Sequence, residues 1–100
     1  MTNQLVGYRL SRQADKDLLD IITYTKGKFG TSQTRKYLLE IDSVVKRLLS
    51  NPYIGKRRPE IRPDICTFPV GAHLIFYQQD DNQLLIVRIL HKSRDYQNHF

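Results

Sequence analysis

The sequence predicts an α+β domain with the element order β-α-α-β-β-β, in which a helical hairpin packs on one face of a twisted antiparallel sheet. Two neighbouring stretches on either side of Gly30 repeat apolar residues at helical spacing. Three later runs are rich in apolar and aromatic residues and are joined by short turn sequences. No linker, repeat or low-complexity tract divides the 100 residues, a length at which roughly two-thirds of the unfolded surface can be buried. One domain over residues 1–100 is therefore expected.

Leu5 to Leu10 alternates, with Val6, Tyr8 and Leu10 on one side and Gly7 and Arg9 on the other, which suits a short, half-exposed strand at a sheet edge. Ser11 is a good N-cap, and Asp15 and Asp17 set negative charge near the positive end of a helix. Ala14, Leu18, Ile21, Ile22 and Phe29 form the apolar stripe of that helix, over about residues 12–29. Gly30 suits a left-handed C-terminal cap, and Thr31 or Ser32 can cap a second helix at once, which demands a tight antiparallel hairpin. Tyr37, Leu38, Ile41, Val44, Val45, Leu48 and Leu49 make the second stripe. Asn51-Pro52 ends it, because the residue before a proline is pushed out of helical geometry.

The stretch NPYIGKRRPEIRPD holds three prolines, a glycine and four basic residues, Lys56, Arg57, Arg58 and Arg62, and reads as a solvated connector. Ile65 to Val70, Ala72 to Gln79 and Leu84 to His91 are then the strands of a closing antiparallel meander, turned at Val70-Gly71 and at Asp80-Asp81-Asn82-Gln83. The helices cover one face of this sheet, and the other is left for a partner or water.

Composition narrows the functional classes. There are 16 Lys and Arg against 10 Asp and Glu, a net charge of +6 with a pI near 9.7, which favours an anionic partner: nucleic acid, an acidic protein segment or a membrane face. Cys66 is the only cysteine, which excludes an intramolecular disulfide and a thiolate zinc site and fits a reducing cytoplasm. The N-terminus MTNQLVGYRL lacks the apolar stretch of a signal peptide, and no run approaches the roughly 20 apolar residues of a membrane span. A soluble cytoplasmic protein is expected. With no phosphate-cradling glycine loop, no His-Glu metal spacing and no nucleophile elbow, neither a metal nor a cofactor is expected.

The residues that invite a chemical reading sit in and after the last strand. Cutting RNA without a metal needs a base for the 2′-hydroxyl, an acid for the leaving oxygen and cations for the phosphate. Arg88, His91, Lys92, Arg94 and Tyr96, with His73 on the preceding strand and the loop basics nearby, contain all three types. Each also has a structural reading. Strand alternation puts Leu85, Val87 and Ile89 on one face and Ile86, Arg88 and Leu90 on the other, so Arg88 can point away from the helix-packed core, solvated or ion-paired. His91 suits a turn hydrogen bond as well as a functional imidazole. His73, alternating with Ile75 and Tyr77, reads as a structural histidine, and Cys66, alternating with Phe68 and Val70, as a small core residue.

Taken in order, SNPYIGKRRPEIRP, FPVGAHLIFYQQ and IVRILHKSRDY, placed after a Gly-Thr-linked helical hairpin, resemble the ParE branch of the RelE/ParE superfamily of bacterial toxins over nearly the whole chain. The resemblance rests on the ordered set Asn51-Pro52, Gly55, Glu60-Ile61-Arg62-Pro63, Phe68-Pro69-Val70-Gly71, His73, Ile75-Phe76-Tyr77 and Arg88-Ile89-Leu90-His91. It implies the fold derived above and raises two activities. RelE-like members cut ribosome-bound messenger RNA, whereas ParE-like members bind DNA gyrase and trap its cleaved-DNA state. In the RNA-cutting branch, the strand corresponding to Ile65 to Val70 carries Lys or Arg aimed at the RNA, and ICTFPV has none.

The expectation is therefore a non-catalytic toxin of a type II toxin–antitoxin module, directed at gyrase. The alternative is a RelE-like ribosome-dependent endonuclease, which would work through His91, Arg88 and Tyr96. The resemblance also implies a ParD-like antitoxin with a C-terminal segment that orders on the toxin. Arg58, Arg62, Arg88, His91, Lys92 and Arg94 are expected to form the surface for target or antitoxin. A plain nucleic-acid-binding module is a third reading. Tyr53 and Tyr96 lie near the basic residues without forming a stacking platform, and no sequence-specific nucleic-acid binding is expected.

Overall fold

The computed structural model describes residues 5–100. Strand β1 (Gly7–Leu10) leads into helices α1 (Arg12–Phe29) and α2 (Thr31–Ser50). A 3₁₀ turn at Pro52–Ile54 and strand β2 (Lys56–Arg57) follow, then β3 (Cys66–Val70), β4 (His73–Asp80), β5 (Gln83–His91) and a second 3₁₀ turn at Tyr96–His99. The sheet order is β1-β5-β4-β3-β2. The expected antiparallel meander is present in β3, β4 and β5. β1 lies at the edge and pairs with β5 in parallel, a pairing that the helical crossover between them permits. β2 is a two-residue strand antiparallel to β3, inside the stretch that the sequence presents as a connector.

Local chemistry explains the helix boundaries. Ser11 Oγ accepts the Ala14 N–H at 3.0 Å as an N-cap, and its hydroxyl donates to the Val87 carbonyl at 2.7 Å, which ties the start of α1 to β5. Gly30, at φ 87°, ends α1 and also serves as the cap residue of α2. Neither Thr31 nor Ser32 is the cap, because both already lie inside α2. Asn51 ends α2, and its side chain accepts the Tyr53 N–H at 3.3 Å to start the 3₁₀ turn.

The two helical stripes bury Ala14, Ile21, Ile41, Val45 and Leu48 against Ile75, Tyr77, Leu84, Ile86 and Ile89. Full burial of an aliphatic side chain contributes about 1.5–3 kcal/mol, so this face is the main source of stability. Phe29 departs from the expected stripe and is 60% exposed. Of Val6, Tyr8 and Leu10, which alternation sets on one side of the first strand, only Leu10 packs on the core; Val6 and Tyr8 are exposed, and Leu5 is buried.

A β-bulge corrects the expected alternation of β5. Phe76 pairs with Arg88 and Tyr77 with Ile86, so Val87 is skipped and the parity of the strand changes there. Ile86 and Ile89 consequently share the helix-packed cluster, while Val87 and Leu90 share the cluster on the opposite face. That opposite face is not left open. Ile65, Phe76, Val87 and Leu90 are buried with Ile61 and Tyr96 against them, and the Phe100 ring centroid lies 5.1 Å from that of Phe76. The chain's own connector and C-terminal segment supply the cover.

Two glycines of the ordered set have steric reasons. Gly71 turns β3 into β4 at φ 54°, and a Cβ there would overlap the Tyr37 ring. A Cβ at Gly55 would overlap the Tyr77 hydroxyl. That hydroxyl donates to the Pro52 carbonyl at 2.8 Å and accepts the Gly55 N–H at 3.0 Å, fastening the connector to the core, and burial pushes its pKa up to about 12. No helix among the described residues is long and apolar enough to cross a membrane.

Candidate functional site: a groove at the exit of the last strand

β1 accompanies β5 only from Gln83 to Ile86. Past that point α1 closes the strand edge, and Asp17 takes the role of a neighbouring strand by accepting the Ile89 N–H at 3.0 Å. The same carboxylate holds Arg88 in a fork, with Nε to Oδ2 at 2.8 Å and Nη2 to Oδ1 at 2.9 Å. The two side chains are only 13% and 11% exposed. Arg88 Nη1 donates to the His99 carbonyl at 3.0 Å, so its donors are directed to its own chain. Hydrogen bonding to Asp17 holds the guanidinium proton more tightly than usual.

Beyond Asp17, α1 and β5 enclose a groove of about 670 Å³ with the start of α2 and the β3–β4 turn. Ile21 and Ile89 give it an apolar lining, Tyr24 and Phe29 line it from α1, and His91, Ser93 and Arg94 line it from the strand exit. His73 and His91 are cross-strand partners whose ring centroids lie 5.4 Å apart, edge to face. His73 Nδ1 lies 2.6 Å from the Tyr37 hydroxyl, which itself lies 2.9 Å from the Val70 carbonyl. A hydroxyl has one proton. If it goes to Val70, the Tyr37 oxygen accepts the His73 Nδ1–H, and neutral His73 keeps its lone pair on Nε2.

Burial, and then the neighbouring His91, pushes the His73 pKa below its ordinary value. Burial pushes the Tyr37 phenol up. His73 is thus a half-buried, hydrogen-bonded histidine, as its alternation suggests. His91 is exposed and bonds locally: its Nδ1 accepts the Ser93 N–H at 3.1 Å and lies 2.7 Å from Ser93 Oγ.

The six residues expected at one surface divide between two places. His91, Lys92 and Arg94 are exposed at the strand end of the groove, where the Lys92 N–H donates to the Ala72 carbonyl at 2.9 Å. Arg58, Arg62 and Arg88 gather around the C-terminal segment. Arg58 Nε donates to Thr67 Oγ1 at 3.0 Å, and its Nη1 donates to the Tyr96 hydroxyl at 3.3 Å. Its guanidinium carbon stands 5.4 Å from the Tyr96 ring centroid, and that of Arg62 stands 5.7 Å from the Phe100 centroid, both within cation–π range.

The trio that a nuclease would use is dispersed in the same way. His91 lines the groove on the helical side, Arg88 is held by Asp17, and Tyr96 packs on Phe76 at the opposite face. Cys66 is partly buried against the helix-side core, and burial pushes its thiol pKa up, in keeping with a small core residue. Among the described residues no group of three or more His, Cys, Asp and Glu side chains is placed to hold a metal ion.

Sequence reasoning missed Asp17 as the partner of Arg88, and with it Tyr24 and Tyr37 as groove residues. One signal was available. Asp17 falls three residues after Ala14 and four before Ile21, which sets a carboxylate on the inward side of an amphipathic helix.

A family model described as the ParE toxin of the parDE type II toxin–antitoxin system matches residues 8–96. Toxin ParE1 of Caulobacter vibrioides is 32% identical over 92 residues, covering 92% of this chain and 95% of the relative. Toxin ParE1 of Mycobacterium tuberculosis is 34% identical over 89 residues, covering 88% and 91%. A solved structure of a chromosomal ParDE system from P. aeruginosa superposes with a TM-score of 0.74, covering 90% of this chain and 98% of that one; at 21% identity the likeness speaks to the fold. Sequence relatives and fold agree over nearly the whole length, and the chain belongs to the ParE toxin family of type II toxin–antitoxin systems.

Proposed function

We propose that this toxin binds DNA gyrase and traps its cleaved-DNA state, and that a ParD-like antitoxin neutralises it by covering the groove beside His91. The observation that carries this reading is the dispersal of the nuclease groups. His91, Arg88 and Tyr96 do not converge on one point, and β3 has no cation to hold a phosphate. A single imidazole without a phosphate clamp and a positioned acid forfeits most of its catalytic power. The toxin acts by binding and uses no cofactor.

His91, Lys92 and Arg94 form the charged rim of the surface. The net charge of +6 draws in an acidic antitoxin segment, and the apolar lining of the groove suits the buried side of an amphipathic helix or an added strand. The structural neighbour comes from a chromosomal ParDE system, which is in keeping with such a partner.

A side-by-side assay tests the reading. Purified toxin is expected to block supercoiling and to accumulate cleaved plasmid in a gyrase reaction, while ribosome-bound message stays intact. Antitoxin added to the mixture is expected to restore gyrase activity and to raise the melting temperature of the toxin. Codon-specific cutting of ribosome-bound message, with gyrase unaffected, would reverse the assignment in favour of the RelE-like endonuclease, the reading that the His73–His91 pair favours.

A further inference from the structure

Between Asp20 and Glu40 the chain carries four cations, Lys26, Lys28, Arg35 and Lys36, and no carboxylate. Gly30 folds this stretch back on itself, so the last turns of α1 and the first turns of α2 bring all four to one end of the hairpin. All four are exposed, and among the described residues none has an ion-pair partner, although Glu40 follows Lys36 by one helical turn. Lys26 and Lys28 complement the negative end of the α1 dipole, which gives them a structural use. Arg35 and Lys36 lie near the positive end of α2, where a cation gains nothing from the dipole and the first turn holds no acid. Helix stability therefore accounts for the α1 half of the cluster and not for Arg35 and Lys36.

Two exposed rings lie among these cations. Tyr24 is 57% exposed and Phe29 60%. The Lys28 amine donates to the Tyr24 hydroxyl at 3.2 Å and stands 5.6 and 5.9 Å from the two ring centroids. Cations without carboxylate partners, interleaved with exposed aromatic rings, match a partner that offers both phosphates and flat sugar or base surfaces. An acidic peptide would satisfy the cations and leave the rings unused.

We infer that the hairpin tip formed by Lys26, Lys28, Arg35 and Lys36 is a contact for DNA phosphates, indifferent to sequence, with Tyr24 and Phe29 laid against the nucleotides. The setting rests on the gyrase reading, since a toxin that traps cleaved DNA sits beside a phosphate backbone. The contact itself is a property of the free chain. It adds an attachment on DNA next to the protein surface around His91, with which it shares Tyr24 and Phe29.

The test measures binding of a labelled duplex oligonucleotide by the full chain across a salt series. Lys26, Lys28, Arg35 and Lys36 are all changed to Gln, and a control removes the same charge elsewhere by changing Arg12, Lys16, Lys46 and Lys56 to Gln. The tip variant is expected to lower the slope of log affinity against log salt by about three to four, and the control to leave most of it. Unchanged melting temperatures certify the fold. Should the fourfold variant fail to fold, the pairs Lys26→Gln with Lys28→Gln, and Arg35→Gln with Lys36→Gln, are each expected to remove about half of the slope.

Equal losses in tip and control variants would overturn the inference, because they would mean diffuse charge attraction. So would a polyglutamate probe bound as tightly as the duplex and lost in the same variant. In the gyrase reaction the tip variant is expected to capture gyrase normally without DNA and to need about tenfold more protein to accumulate cleaved plasmid. A wild-type chain that binds duplex through its tip and leaves gyrase untouched would break the gyrase reading and keep the contact.

Discussion

The two faces of the sheet are sealed by different means. On one, α1 and α2 lay aliphatic side chains over Ile75, Leu84, Ile86 and Ile89, a seal that needs no charge. On the other, the segment from Tyr96 to Phe100 is short, and three arginines fasten it: Arg58 on Tyr96, Arg62 over Phe100, and Arg88 between Asp17 and the His99 carbonyl. The difference separates cations that build the fold from cations that stay exposed at its surface. What decides is whether a carboxylate, a carbonyl or a ring packed on the core of the same chain lies within reach; the rings beside Lys28 are themselves exposed. Those at the groove rim and the hairpin tip have no carboxylate partner within reach among the described residues.

The largest effect is expected where the arginine seal is most buried. Asp17→Ala strands the Arg88 guanidinium and leaves the Ile89 N–H without its acceptor, a loss of about 3 kcal/mol that a urea titration would register. A cost below about 1 kcal/mol would show that charge contributes little to that face. On the helical face, Gly71→Ala combines a positive φ with overlap of the Tyr37 ring and should cost about 2 kcal/mol. Adding Tyr37→Ala should relieve the overlap without restoring the backbone preference.

Phe100→Ala is smaller, about 1 kcal/mol, because the ring is 40% exposed and touches the face through Phe76. A double-mutant cycle with Arg62→Ala should show coupling of about 0.5 kcal/mol if the cation helps to hold the ring.

Acidification gives a gentler comparison. His73 has its folded pKa pushed below the ordinary 6.5, so the unfolded chain takes up the proton first. The stability from neutral His73 is present above that pH and is lost as pH falls through 6.5 toward the folded value. Melting temperature should fall on this account as pH drops through 6.5, and His91→Ala should make the fall shallower by removing a neighbour that disfavours the charged imidazole. The rim should respond least of all. Changing His91, Lys92 and Arg94 singly to Gln should move stability by less than about 0.5 kcal/mol while weakening antitoxin capture, measured by calorimetry.

The sequence by itself determined the element order apart from β2, the Ser11 cap, the turn at Gly30, both helical stripes apart from Phe29, and the closing meander. Each of these rests on local periodicity or on the backbone chemistry of one or two residues, which a linear reading can see. The ordered set of prolines, glycines and strand residues was also enough to indicate the family. Only the tertiary structure decided how the basic residues divide. One skipped residue at Val87 changes the parity of β5, and the Asp17–Arg88 pair spans 71 positions, so no local pattern contains either. β2, the covering of the second face and the groove beside His91 likewise arise from non-local approach. A cation's role depends on what the fold brings next to it, and that is a property of three-dimensional proximity.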